Sequence, residues 1–380
     1  MIASDPPSLL LDAFEHQDEV FASAFAILRG AVAQRAFPAA SIAVTHHGRF
    51  VALKALGGFT YQPNSPAIKP ATLFDLASVT KVLATTGMAM LLYQRGLLDL
   101  EAPVHAIVPE FTSAEKDPRR HDVTLRMLLA HSSGLPAYEK LFLEAQTRDE
   151  LLRAAFAMPL AADPGARAEY SDIGFILLGS ALERLADEPI DRFCQREIFA
   201  PLAMTNTTFN PPTEIRSQIP PTADDKTFRH RIIQGEVQDE NASVLGGVAA
   251  HSGVFATARD LARFAHAMLN PGGSIFRPET VAAFTRRESQ PCGTSRTLGW
   301  DTPSSLSQSG KYFSPQSFGH LGYTGTSLWI DPARRISITL LTNRTWPDCS
   351  NRAIKQVRPR FHDAVIEALG NSLSSVKNEN

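Results

Sequence analysis

Hydrophobic residues recur at helical spacing in some parts of this chain and at strand spacing in others. Residues 19–35 place apolar side chains on one helical face and acidic residues in the first turn, which predicts an amphipathic helix. Residues 41–46 and 50–56 are apolar and partly β-branched, and the turn-forming His47-Gly48-Arg49 joins them. These segments predict a hairpin, so we expect an antiparallel sheet with a helix against it.

The middle of the chain is predicted to be mainly helical. Residues 78–95 carry few charges on any face, which predicts a long buried helix that ends before Gly96. Shorter helical patterns follow at residues 124–130, 148–157, 172–186, 188–200 and 258–269. Prolines and polar clusters predict irregular segments at 103–123, with a solvated charge cluster from Glu115 to Arg120, and at 205–235 and 287–317.

The C-terminal part again has sheet-forming character. Residues 326–331 and 336–343 are strand-like, with turn chemistry at Asp331-Pro332, and residues 351–369 predict a closing helix. Because both chain ends supply strands around a helical middle, we expect the α+β class, with an antiparallel sheet flanked by helices.

The length of 380 residues favours two domains. Residues 1–77 and 260–380 are expected to form the sheet domain from both chain ends. Residues 78–259 are expected to form a mostly helical second domain with long loops. The active site would then lie between the two domains.

Composition narrows the class of protein. The 37 basic residues are balanced by 39 acidic ones, so nothing indicates a nucleic-acid or membrane-surface partner. The N-terminus lacks a basic leader and an apolar core, and no uncharged stretch is long enough to cross a bilayer. We therefore expect a cytoplasmic protein, although a periplasmic or secreted protein whose leader had been removed would show the same pattern. Three scattered cysteines predict neither a disulfide framework nor a zinc site.

Ser-x-x-Lys is the pattern with the clearest chemistry, but alone it is weak. It occurs at Ser78, Ser113 and Ser374, and random composition would give about one or two matches in such a chain. Ser113 and Ser374 lie in polar segments, whereas Ser78 opens the buried helix. Lys81 is one helical turn further on and can reach the Ser78 hydroxyl. Burial would favour neutral Lys81 as a base for the serine, while an N-cap serine with a surface lysine is the alternative interpretation.

Two further motifs support the first interpretation. Tyr170-Ser171-Asp172 precedes an apolar helix, and a tyrosine near a lysine can act as a general acid or base. The glycines of the segment His320–Thr326 would let an edge strand approach a ligand closely. A half-buried aromatic residue and a bulged strand are the corresponding structural alternatives.

In this order and context, the three motifs resemble the serine β-lactamase and penicillin-binding-protein superfamily, in particular the class C β-lactamase-related hydrolases. The resemblance spans roughly residues 20–369. It is carried by LFDLASVTK (73–81), LRMLLAHSSGLP (125–136), YSDIGFILLG (170–179), GGVAAHSGVFATARDLARF (246–264) and GHLGYTGTSLWIDP (319–332).

The resemblance implies an acyl-enzyme mechanism without a metal or cofactor. Ser78 would be the nucleophile, Lys81 its partner base and Tyr170 the general acid/base. His320-Leu321-Gly322 would replace the family's Lys-Thr-Gly strand, and the backbone N–H groups of Ser78 and Tyr323 would form the oxyanion hole.

Two departures from the family pattern bear on the substrate. His320 stands where the family has a lysine, and a neutral imidazole pairs weakly with a substrate carboxylate. Asp172, which together with His320 and Gly322 is expected to contact the substrate, stands where an asparagine is usual, and an ionised carboxylate cannot donate to an amide carbonyl. We therefore expect a serine hydrolase of small-molecule esters or D-amino-acid-type amides or peptides, ahead of a β-lactamase or D,D-carboxypeptidase. A non-catalytic sensor of the same fold is the alternative of another class.

Two polar clusters remain without a clear role in the sequence. The segment His131–Gly134 follows a helix and is expected to be a structural turn. Asp239-Glu240-Asn241 and His251 could line the cleft or hold an ion, although solvated loop groups are the more common case. The oligomeric state cannot be inferred from these patterns.

Overall fold

The computed structural model describes residues 10–114 and 116–376. The segment 1–9, which was expected to lack a leader, Glu115 of the charge cluster and Lys377 of the third Ser-x-x-Lys match lie outside them. The strands of the described part are β1 (Leu11–Asp12), β2 (Ala39–His46), β3 (Arg49–Gly57), β4 (Phe74–Asp75), β5 (Thr207–Phe209), β6 (Pro221–Asp225), β7 (Arg231–Gln234), β8 (Val254–Ala256), β9 (Phe318–Leu321), β10 (Ser327–Asp331) and β11 (Ile336–Thr342).

Helices form most of the remaining regular structure. Among the described residues, none of them has both the length and the apolar character that crossing a lipid bilayer requires. They are α1 (Gln17–Val20), α2 (Ala22–Ala33), α3 (Gly87–Gln94), α4 (Glu110–Ser113), α5 (Leu125–Leu129), α6 (Arg148–Ala157), α7 (Asp172–Ala186), α8 (Ile190–Cys194), α9 (Thr213–Arg216), α10 (Glu240–Val244), α11 (Ala258–Leu269), α12 (Pro278–Thr285) and α13 (Ile354–Val376).

The main sheet is built from both ends of the chain. Its strand order is β1-β3-β2-β11-β10-β9, so the N-terminal hairpin pairs through β2 with the C-terminal strand β11. The predicted hairpin is confirmed, and His47 and Gly48 take up the positive φ angles of its turn. The pairing is antiparallel except between β1 and β3, which run parallel. β9 lies at the edge and contains His320, as expected, but residues 322–326 of the predicted edge strand form the turn to β10.

Successive residues of the central strands point into two different cores. Ile42 and Val44 pack with Phe25 of α2 and Phe361 of α13 on one face. Ala43, which lies between them in β2, belongs to the larger core shared with α11 and the helical middle of the chain. This two-residue period explains why β2 is apolar almost throughout, since helices cover both of its faces.

The predicted buried helix at 78–95 has an irregular start. Residues 77–79 form a 3₁₀ turn and residues 81–86 a π-helical turn before α3 continues to Gln94. Such wide turns inside helices are frequent at functional sites. Gly96 has a φ of 72° and follows the end of the helix as predicted.

Three predictions of irregular or solvated chain are wrong. The segment 103–123 contains α4 and two 3₁₀ turns, at residues 104–106 and 118–122. The segment 205–235 contains the two-stranded sheet β6–β7 as well as β5 and α9. Arg120 is fully buried, because its guanidinium donates to the carbonyl oxygens of Phe111, Phe156 and Met158 at the ends of α4 and α6. Helix ends leave carbonyl groups without intrahelical partners, and a buried arginine can satisfy several of them.

Candidate active site

Ser78 and Lys81 are brought together as the spacing predicts. Lys81 Nζ lies 3.1 Å from Ser78 Oγ, and the lysine side chain is completely buried. The second match differs, because Ser113 and Lys116 are both exposed to solvent. Only a buried site can tune the basicity of a lysine strongly, so the structure distinguishes Ser78 from Ser113 on physical grounds.

Lys81 has an acceptor for each of its ammonium protons. Besides Ser78 Oγ, it donates to Asp172 Oδ1 at 2.5 Å and to the His251 carbonyl oxygen at 2.9 Å. Burial by itself lowers the pKa of Lys81, but the Asp172 carboxylate and Tyr170 reverse this effect and leave the pKa above its ordinary value. The prediction that burial leaves Lys81 neutral therefore does not hold, because it took no account of the carboxylate of Asp172.

Tyr170 completes this group. Lys81 Nζ lies 4.9 Å from the centre of its ring. Burial raises the pKa of Tyr170 to about 12, with the Asp172 charge acting in the same direction and the hydrogen-bonding groups of Lys81 and Ser78 opposing it. The hydroxyl is therefore protonated at neutral pH, so Tyr170 can donate a proton from its resting state.

Side-chain hydrogen bonds link the turn after β9 to the segment before Ser78. Thr324 Oγ1 donates to the Asp75 carbonyl oxygen at 2.8 Å, and Thr326 Oγ1 donates to the Leu76 carbonyl oxygen at 3.0 Å. A Cβ atom at Gly322 would lie 2.5 Å from the Leu76 carbonyl oxygen, so glycine is required for this approach. These contacts bring the turn that carries Tyr323 next to Ser78.

The site opens into a cleft of about 990 Å³, whose lining includes Ser78, Tyr170, Asp172, His320, Gly322 and Tyr323. Acidic groups on its wall include Asp172, and cationic groups include Arg296 and Arg344. Tyr323 is half-exposed at the opening. A volume of this size accommodates a small molecule or a short peptide segment.

A family model described as Beta-lactamase matches residues 24–358. The chain belongs to the β-lactamase family. An N-acetylmuramyl-L-alanine amidase of Bacillus subtilis (strain 168) is 33% identical over 346 residues, which cover 81% of this chain and 77% of that relative. A putative D-alanyl-D-alanine carboxypeptidase of Escherichia coli (strain K12) is 33% identical over 302 residues, which cover 72% of this chain and 69% of that relative.

The fold has close counterparts among solved structures. EstCE1, a hydrolase with promiscuous acyltransferase activity, aligns with a TM-score of 0.74 at 22% identity over 92% of this chain and 99% of that chain. The expected fold class is confirmed by this likeness. The resemblance inferred from the motifs and the prediction of a serine hydrolase are confirmed by the family match and the relatives.

Both departures from the β-lactamase family pattern lie in the cleft. His320 is 3% exposed, and burial together with the charges of Lys81 and Arg296 lowers its pKa well below the ordinary value. Its ring is therefore neutral at pH 7. Asp172 is the first residue of α7, and its carboxylate forms a salt bridge with Lys81. This carboxylate is therefore the counterion of Lys81 and is not available to a substrate alone.

Two neighbours of Tyr170 were not predicted to belong to the site. His131, expected to belong to a structural turn, accepts the Ser171 N–H at Nδ1 (3.1 Å), and its ring centre lies 4.7 Å from that of Tyr170. The Arg296 guanidinium lies 5.5 Å from the centre of the Tyr170 ring. No local pattern distinguishes Arg296 within the irregular segment 287–317. His131 adopts a positive φ after a helix end, but its contact with Tyr170 joins distant parts of the chain and has no local signal.

Asp239 and Glu240 line the cleft, as one interpretation of the sequence allowed, and this cluster also has structural roles. Asp239 caps α10 by accepting the Ala242 N–H and lies 2.9 Å from His251 Nε2. Asn241 bridges the backbone of Glu139 and Phe142. Within residues 10–114 and 116–376, no group of three or more His, Cys, Asp or Glu side chains is arranged to hold a metal ion.

Proposed function

We propose that this protein hydrolyses its substrate through an acyl-enzyme on Ser78. The observation that carries the proposal is the placement of Ser78 Oγ 3.1 Å from a buried Lys81 that also contacts Asp172, at the wall of a substrate-sized cleft. A serine hydroxyl needs help with its proton to become a nucleophile, and these groups can provide that help.

The expected sequence of steps follows from the resting protonation states. Ser78 Oγ attacks the substrate carbonyl carbon and passes its proton to Lys81 and the groups in contact with it, while the backbone N–H groups of Ser78 and Tyr323 stabilise the oxyanion. Tyr170, a neutral phenol, donates its proton to the leaving group. A water molecule then attacks the acyl-enzyme and gives a proton to Lys81 and Tyr170, which return a proton to Ser78 Oγ as the acid leaves.

The substrate is proposed to be an ester or a D-amino-acid-type amide. Neutral His320 removes one cation that a penicillin-like carboxylate would use, and Asp172 is engaged by Lys81. Two relatives that bear the names amidase and carboxypeptidase support the amide class.

A D,D-carboxypeptidase or β-lactamase is the second candidate, and one observation favours it. Arg296 and Arg344 line the same cleft, so an anionic substrate group would still meet permanent cations there. The lysine missing at position 320 is thus weaker evidence against a carboxylate substrate than the sequence indicates.

Acylation at Ser78 is the direct test of the proposal. We would incubate the protein with a fluorophosphonate or p-nitrophenyl butyrate and locate the added mass by peptide mass spectrometry. Label at Ser78 and its loss in Ser78→Ala are expected. Ser113→Ala is the matched control, because Ser113 belongs to the exposed Ser-x-x-Lys match and should leave labelling unchanged. Full turnover by Ser78→Ala would overturn the mechanism.

The substrate class is tested by comparison on one preparation. Rates with p-nitrophenyl butyrate, a D-Ala-D-Ala peptide and nitrocefin rank the esterase, D,D-peptidase and β-lactamase activities. We expect the ester to exceed nitrocefin in kcat/KM. A preference for the D-Ala-D-Ala peptide or for nitrocefin would reverse the order of the two candidates.

A further inference from the structure

Lys81 cannot take the Ser78 proton from its resting state. A lysine ammonium has three N–H donors and no lone pair. In the structure these donors have three acceptors, Ser78 Oγ, Asp172 Oδ1 and the His251 carbonyl oxygen, and the lysine is fully buried. One of the three protons must leave before the nitrogen can accept another.

The three acceptors differ greatly as proton acceptors. A serine hydroxyl and a peptide carbonyl are very weak bases, whereas a carboxylate takes up protons in the range in which enzymes work. The carboxylate of Asp172 is also the nearest of the three, at 2.5 Å from Lys81 Nζ. The proton that leaves Lys81 therefore has one suitable destination among its contacts.

We propose that Asp172 acts through Lys81 as the final acceptor of the Ser78 proton, so that Ser78, Lys81 and Asp172 form a proton relay. This inference rests on the proposed acylation of Ser78. It gives the aspartate of Tyr170-Ser171-Asp172 a role in proton transfer, in place of the substrate contact expected from the sequence.

The relay conserves protons and charge. As Ser78 Oγ forms its bond to the substrate carbonyl carbon, its O–H bond breaks and the proton moves to Lys81 Nζ. One Lys81 N–H proton moves at the same time to Asp172 Oδ1. The ammonium persists, the carboxylate becomes neutral, and the negative charge now resides on the substrate oxyanion. When the leaving group takes a proton from Tyr170, the proton on Asp172 returns through Lys81 to the phenolate.

The fold holds Asp172 in the required orientation. Its backbone N–H donates to the Ala137 carbonyl oxygen at 2.8 Å, and Ser171 caps α7 by accepting the Gly174 N–H. The side chain of Asp172 is 15% exposed, so solvent screens the pair only weakly. Among the described residues, the charged or titratable groups that face it are Lys81, Tyr170 and Tyr138 of the loop after α5.

The pH dependence of acylation tests the relay. In Asp172→Asn the carboxylate is lost, and with it the main interaction that raises the pKa of the buried Lys81. Only neutral Lys81 can then accept the Ser78 proton. We expect the burst rate with p-nitrophenyl butyrate to rise by up to about tenfold per pH unit until the amine is mostly deprotonated, because each unit increases the fraction of neutral amine tenfold. Asp172→Glu retains a carboxylate and should restore the wild-type profile with a reduced rate.

Asp260→Asn is the control for the loss of a buried carboxylate. Asp260 accepts the Asn206 N–H at 2.7 Å, lies in α11 and does not line the cleft, so this variant should retain the wild-type pH profile. A pH profile of the burst rate in Asp172→Asn that matches the wild-type profile would overturn the relay. Fluorophosphonate label on Ser78 in the same variant would show that the acyl-enzyme proposal survives; absence of label from the wild-type protein would instead overturn acylation itself.

A measurement on the wild-type protein covers the case in which Asp172→Asn does not fold. Two protons move together in the relay, so the acylation rate should depend on the deuterium fraction of the solvent along a bowed curve. A linear dependence, which indicates a single moving proton, would overturn the relay without any variant.

Discussion

The carboxylate of Asp75 accepts a hydrogen bond from the backbone N–H of Ala77 at 2.8 Å. Ala77 has a φ of 47°, in the left-handed region that costs a non-glycine residue on the order of 1–3 kcal/mol. The other oxygen of Asp75 accepts the Gln238 N–H at 2.7 Å. One buried carboxylate therefore holds the residue before Ser78 in an unfavourable conformation and joins it to the segment that leads to His251.

Asp75 is expected to make stability depend on pH. Burial raises its pKa from 3.8 to about 6, and Asp239 adds to this effect, while the two amide hydrogen bonds and Arg229 oppose it. The folded state then binds the proton more tightly than the unfolded chain. The contribution of Asp75 to stability is greatest below about pH 4 and is lost as pH rises through about 6, on the order of 3 kcal/mol in total.

Asp75→Asn removes this titration. The free energy of unfolding of wild type minus that of the variant should fall between pH 4 and pH 7, because the other titrating groups are common to both proteins. Urea denaturation at a series of pH values measures the difference. A difference that stays constant or rises with pH would contradict the raised pKa of Asp75.

The secondary structure near the site was largely predictable because its signals are local. The apolar face of residues 172–186 and that of 258–269 correspond to α7 and α11 with the expected bounds. The hairpin also followed from β-branched residues around His47-Gly48-Arg49. The division into a sheet domain (1–77 and 260–380) and a helical domain (78–259) stays a prediction.

Electrostatics at the site could not be predicted in the same way. The contact between Lys81 and Asp172 joins residues 91 positions apart, and no periodic pattern encodes it. The sequence places Lys81 in a buried helix, and burial alone would lower the pKa of a lysine. The direction of the shift depends on its partner, because the Asp172 carboxylate raises the pKa of Lys81. The burial of Arg120 was not predicted for the same reason, because a carbonyl partner such as that of Phe156 lies far away in the sequence.

Gly322→Ala is expected to impair catalysis and stability together. The added methyl group would meet the Leu76 carbonyl oxygen at 2.5 Å and Thr326 Oγ1 at 1.8 Å, so the turn carrying Tyr323 must move. Overpacking of this kind costs about 1–3 kcal/mol. Gly30→Ala is the matched control, because nothing lies within 4 Å of its added Cβ, and it should stabilise α2 by about 0.5–1 kcal/mol. Thermal unfolding and kcat measure both effects; wild-type kcat in Gly322→Ala would contradict the tight approach.

His131 is expected to position Tyr170 without exchanging a proton. It has a φ of 56°, accepts the Ser171 N–H, and burial lowers its pKa well below the ordinary value. His131→Ala should reduce kcat about tenfold or more with little change in KM, since the amide loses its acceptor and the Tyr170 ring its neighbour. Asn tolerates the left-handed conformation and offers an acceptor, so His131→Asn should recover part of kcat. Equal losses in both variants would contradict this role.

Lys81 and Asp172 should behave as a coupled pair in unfolding experiments. Lys81→Met leaves the Asp172 carboxylate without its buried counterion, and breaking such a pair costs about 3 kcal/mol or more. In Lys81→Met/Asp172→Asn no buried charge is left without a partner, so we expect the double variant to be more stable than Lys81→Met. A double-mutant cycle of unfolding free energies at pH 7 measures the coupling. Both proteins should fail to form the acyl-enzyme, because neither retains the amine that takes the Ser78 proton. A coupling energy near zero would show that the 2.5 Å contact contributes little to the folded state.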